Sequence, residues 1–73
     1  MNPITIRRST ASDASQLRRL AELDSARPLA GQALIAEHGG HPVAAVSLDD
    51  RRSIADPFLP TANVVEMLLK LAS

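Results

Sequence analysis

The sequence predicts an α/β domain: a four-stranded, mainly antiparallel sheet in the order β-α-β-β-β-α, with one helix on each face. Three observations carry this. The opening ITIR alternates apolar and polar residues, as a half-buried strand does. Two apolar runs, ALIAE and PVAAVSL, flank Gly39-Gly40, which supplies the positive φ angles of a tight hairpin turn. Apolar residues recur at helical spacing in two further segments, one after the first strand and one at the end of the sequence. With 73 residues, the chain is a single domain over residues 1–73.

In the first strand Ile4 and Ile6 point one way, Thr5 and Arg7 the other. Thr10 with Asp13 three residues on has the spacing of a capping box, so a helix runs from about Ala11 to Asp24. Ala14, Leu17, Leu20 and Ala21 form its apolar stripe, and Ser15, Arg18, Arg19 and Glu22 face away. Asp24 falls at the apolar edge, where it caps the following turn or pairs with Arg27. Pro28 and Gly31 make SARPLAG a connecting loop. The run after the glycines is apolar on both faces, Val43 and Ala45 on one and Ala44, Val46 and Leu48 on the other, which marks a central strand covered on both sides. DDRR is a turn, and SIADPF is a short last strand ended by Pro57, which has no N–H for the ladder.

The last helix spans about Ala62 to Ala72, with Thr61 as N-cap, Pro60 before it, and Glu66 and Lys70 at favourable i, i+4 spacing. Its apolar residues cover about 200° of the wheel, whereas one sheet face needs about 100°. Val65 and Leu69 lie on the excess flank. Either the local core is overpacked there or the flank meets another chain, and the second reading is preferred.

Composition narrows the function classes. Apolar residues make up 45% of the chain, yet Phe58 is the one aromatic residue, and Trp, Tyr and Cys are absent. Without cysteine there are no disulfides and no thiolate metal sites. A small chain with few large side chains is marginally stable alone, so a partner chain, most simply a second copy, is the expected source of further stabilisation. Eight basic residues balance eight acidic ones. The arginine pairs Arg7-Arg8, Arg18-Arg19 and Arg51-Arg52 therefore read as solvated surface rather than a nucleic-acid site, and no aromatic residues are interleaved to stack bases. The sequence has neither the apolar core of a signal peptide nor a run long enough to span a membrane, which implies a soluble, cytoplasmic protein. His38 and His41 in HGGH invite a zinc reading, but two imidazoles do not make a site, and a polar hairpin turn is preferred.

The stretch ITIRRSTASDASQLRRLAEL resembles the first strand and helix of the GNAT-type N-acetyltransferases, and ALIAEHGGHPVAAVSL is similar to that family's second and third strands. The resemblance covers nearly all of this chain and about the N-terminal half of the family fold. It implies acetyl-CoA as cofactor, held by backbone N–H groups of a Gly-rich loop at a helix start. Aligning Leu68-Leu69 with the family's paired leucines puts Pro60 at an Arg/Gln position, Asn63 at the first glycine and Val65 at the Gly/Ala position, with Thr61 in the same loop. Proline brings no N–H, and valine brings a side chain where backbone must approach the pyrophosphate. Glu37 or Asp49 would be the candidate general base, but the family's later strand and its tyrosine acid have no counterpart here.

The expectation is therefore an interaction module without catalytic residues, cofactor or metal, self-associating or docking on a protein partner. Its expected interface is the open edge of the last strand at Ile54 and Ala55, the flank of Val65 and Leu69, or both. The other reading is an acetyl-CoA-dependent N-acetyltransferase, or an acetyl-CoA sensor, assembled from half-length chains.

Overall fold

The computed structural model describes residues 3–72. Strands β1 (Ile4–Arg8), β2 (Ala33–His38), β3 (His41–Ser47) and β4 (Ser53–Ala55) form one sheet in that order. Every neighbouring pair is antiparallel. Helix α1 (Ala14–Leu23) follows β1 through a 3-10 turn at Ala11–Asp13, and helix α2 (Ala62–Leu71) closes the described chain. The helices lie on opposite faces. Leu17, Leu20 and Ala21 of α1 pack on Ile35, Ala45 and Ile54, while Leu68 of α2 packs on Ala36, Val43, Ala44 and Val46. The β-α-β-β-β-α order and the two helix layers are those the sequence predicts.

Local chemistry explains most boundaries. The Thr10/Asp13 capping box forms as expected, but it opens a 3-10 turn before the α-helix begins. That shift rotates Ala14 out to solvent, so the buried stripe of α1 is Leu17, Leu20 and Ala21. The hairpin between β2 and β3 turns on Gly39 and Gly40, at φ +60° and +83°, with His38 opposite His41. Both angles are available to glycine without a Cβ clash.

The β2–β3 register slips between Ala36 and Glu37, leaving Val43 as an extra residue on β3. The expected grouping of Val43 with Ala45 is corrected by this bulge. Val43 joins Ala44 and Val46 under α2, and Ala45 alone of that group faces α1. Leu48 lies just past β3, half-buried, its N–H bonded to the Gln32 carbonyl at 2.9 Å.

At the next turn Ser47 Oγ accepts the Asp49 N–H at 3.2 Å, and the Arg51 N–H reaches the Ser47 carbonyl at 3.0 Å. Strand β4 ends at Ala55, two residues before Pro57. At α2, Thr61 occupies the N-cap position but makes no side-chain capping bond. Among the described residues Glu66 and Lys70 form no ion pair, since the ion pairs present belong to Arg7.

Helix α1 ends in a Schellman arrangement: the Ser25 N–H bonds the Glu22 carbonyl at 3.1 Å and the Ala26 N–H bonds the Ala21 carbonyl at 2.8 Å. Ser25 takes the left-handed conformation, φ +52°, that glycine usually fills there. A non-glycine residue in that conformation costs about 1–2 kcal/mol, partly offset by the ~0.5–1 kcal/mol of extra chain entropy that glycine loses on folding. Ser25→Gly is therefore expected to stabilise the fold by about 0.5–1 kcal/mol, read as a higher urea midpoint at unchanged slope. A lower midpoint would refute the account.

Candidate functional site

Among the described residues the most connected side chain is that of Arg7, on the α1 face of β1. Its Nη1 and Nη2 donate to Asp13 Oδ2 and Oδ1 at 2.8 and 2.7 Å. Its Nε and Nη2 donate to Glu37 Oε1 and Oε2 at 2.9 and 3.3 Å, and Nη1 also reaches the Arg8 carbonyl at 3.2 Å. A guanidinium has five N–H donors, and these five bonds use all of them. Asp13 is buried, 5% exposed, and also accepts the Thr10 N–H at 2.7 Å and the Thr10 hydroxyl at 3.1 Å.

The Arg7 fork, followed by the Thr10 N–H, holds the Asp13 carboxyl well below the usual carboxylate range, and the bonds to Asp13 and then to Glu37 raise Arg7 above its ordinary value. The cluster ties β1, the start of α1 and β2 together. Glu37, one of the two candidate bases, has both carboxylate oxygens on Arg7; Asp49, the other, lies in the exposed β3–β4 turn.

The loop before α2 carries the residues that the acetyl-CoA comparison singled out. Asp56 folds its first part: Oδ1 accepts the Phe58 N–H at 2.8 Å, and its carbonyl accepts the Leu59 N–H at 3.2 Å. That turn throws Phe58 outward, 81% exposed. Pro60 and Asn63 are exposed, Thr61 is half-buried, and Val65 packs on the α2-side core. Beside the helix start lies a groove of about 300 Å³, walled by Ile4, Val43, Leu59, Pro60 and Val64, with His38 and Thr61 as its polar members. No arginine or lysine lines it.

The remaining expected site residues fall as follows. Ile54 is buried beneath α1, and Ala55 is half-buried on the α2 face. Backbone groups alternate in direction along an antiparallel strand. Arg52 and Asp56 bond β3, so the N–H groups of Ser53 and Ala55 point away from the sheet. Asp24 Oδ2 accepts the Ala55 N–H at 3.1 Å, and Pro57, next in that phase, has none. Asp24 therefore blocks the β4 edge at Ala55, rather than capping its own turn or pairing with Arg27.

Val65 and Leu69 are half-buried against the sheet, and the uncovered apolar side chains of α2 are instead Met67 and Leu71, 47% and 58% exposed. His38 and His41 are exposed at the hairpin. Among the described residues no three His, Cys, Asp or Glu side chains gather as a metal site.

Two of the arginine pairs split their duties. Arg7 is tied into the ionic cluster, and Arg52 clamps the Arg27 and Pro28 carbonyls at 2.8 and 2.6 Å, while Arg8 and Arg51 are exposed. The partners of Arg7 and Asp24 are what sequence reasoning missed. The alternation of β1 put Arg7 on one face, but its partner Glu37 is 30 residues away, and nothing local signals that contact.

Among the described residues no helix is long and apolar enough to cross a membrane. Comparison with protein-family models, with curated proteins and with solved structures found no match for the chain.

Proposed function

We propose that this domain is a non-catalytic interaction module that works by binding a second protein chain, in a soluble, cytoplasmic setting. One observation carries the reading: the sole aromatic side chain, Phe58, stands 81% exposed on the loop leading into α2, whose Met67 and Leu71 are also exposed. A chain short of large apolar residues gains most by burying them, at about 25 cal/mol per Å². Placing them outside forgoes that gain unless another surface covers them. Balanced charge supports a protein partner over nucleic acid.

The acetyl-CoA reading, suggested by the likeness to GNAT-type N-acetyltransferases, has less support. The groove beside the α2 start is walled by apolar side chains, and in the alignment with that family Pro60, which has no N–H, and Val65 stand at the Arg/Gln and Gly/Ala positions. Calorimetry with acetyl-CoA is expected to give no binding heat. A dissociation constant below about 100 μM, roughly 5.5 kcal/mol of binding free energy, would overturn the interaction-module reading in favour of an acetyl-CoA enzyme or sensor.

A further inference from the structure

The two edges of the sheet are treated differently. Of the outward positions on β4, the Ala55 N–H is taken by the Asp24 carboxylate and Pro57 has no N–H, which leaves the Ser53 N–H as the one open donor. On β1 no outward N–H is taken by a described residue, and of its outward carbonyls only that of Arg8 accepts a bond, from Arg7 Nη1 at 3.2 Å, with a second lone pair left over. Its Ser9 N–H bonds the Ala33 carbonyl, which puts residues 5, 7 and 9 in phase with β2 and turns the N–H and C=O groups of Ile4 and Ile6 outward. Those groups bond no described residue.

The α2 face of this edge is also open. Helix α2 lies across β3 and β2, leaving Ile4 exposed and Ile6 half-buried. Val64 meets Ile4 at the apolar groove, and Met67 and Leu71, three and seven residues on, share that side of the helix. An unpaired ladder and an uncovered apolar strip therefore lie side by side on one margin.

We propose that this margin is a homodimer seam, in which β1 pairs antiparallel with β1 of a second copy and joins the two sheets into one of eight strands. The proposal deepens the interaction reading above and rests on it. A two-fold axis through Ile6 pairs Ile6 with Ile6 of the other copy and sets Ile4 opposite Arg8, so outward donors and acceptors match in both directions. On the α2 face this brings four isoleucines together, overhung from each side by Met67 and Leu71.

Electrostatics permit the match. The chain carries no net charge, Arg7 is already neutralised by Asp13 and Glu37, and the two Arg8 side chains lie at opposite ends of the seam.

The test combines sedimentation equilibrium of the full chain with hydrogen exchange at several concentrations. The expected result is a dimer at about 100 μM, with Ile4 and Ile6 amides slowed at least ~tenfold against unpaired amides and slowed further as concentration rises. Ile6→Pro, which removes only an outward N–H, is expected to give a monomer with unchanged circular dichroism. Ser53→Pro, the equivalent change on β4, is expected to remain dimeric. A wild-type monomer at about 100 μM overturns the seam. So does a dimer whose Ile4 and Ile6 amides exchange as free amides; that outcome leaves the interaction-module reading in place, whereas acetyl-CoA binding removes that reading itself. The exchange measurement on the wild type decides the matter even if Ile6→Pro fails to fold.

Discussion

Replacing Arg7 with alanine is expected to lower the thermal midpoint by on the order of 10 °C, among the largest losses from any single polar residue here. The substitution strands two carboxylates at once. Asp13 and Glu37 have side chains only 7% and 16% exposed, so water reaches them poorly once the guanidinium is gone. Arg7 itself is 35% exposed, which screens its charge and keeps the effect below that of a fully buried pair. Arg7→Lys is expected to recover little, because an ammonium cannot reproduce the two-sided fork.

The same cluster sets an acid limit. The folded state depresses the Asp13 carboxyl from its ordinary 3.8. Its contribution is therefore complete above about pH 4 and lost as pH falls further. Thermal melts from neutral pH down to about pH 2 should show this loss in the wild type and a flatter acid limb in Asp13→Asn. An equally steep limb in Asp13→Asn would show that another group governs acid unfolding.

Leu68→Ala is expected to cost about 2–5 kcal/mol, because Leu68 is fully buried at the centre of the α2-side core. A domain of 73 residues has a total stability of only about 4–11 kcal/mol. The variant is therefore partly unfolded at room temperature if the chain sits at the lower end of that range. Urea unfolding gives the comparison. Leu23→Ala, on an exposed position of α1, should cost less than about 1 kcal/mol. Equal costs at the two positions would mean that α2 is not anchored through Leu68.

Much of the fold was legible because its signals are local. The Thr10/Asp13 spacing, the Gly39-Gly40 turn and the alternation of β1 each act over a few residues. What escaped was set at long range. Asp24 reaches Ala55 across 31 residues, and no pattern around Asp24 marks that bond. The Val43 bulge interrupts a run that is apolar on both faces, so alternation cannot reveal which face each side chain takes.

The candidate surface was legible in kind but not in place. The apolar excess of α2 was visible on the wheel, yet its orientation depends on where the preceding loop delivers the helix. That loop turns Val65 and Leu69 inward and leaves Met67 and Leu71 outside. Phe58 illustrates the same limit: its type argues for burial, and the Asp56 turn decides otherwise.

Five of the twelve buried apolar residues are alanines: Ala21, Ala33, Ala36, Ala44 and Ala45, each with no exposure at all. Alanine has no side-chain rotamers, so ordering it costs no side-chain entropy, and it has no alternative state to adopt afterwards. Binding at one face of the sheet therefore has few rotamer changes through which to reach the other. Such a signal must travel as a displacement of backbone, with Ala44 under one helix and Ala45 under the other carried together by β3.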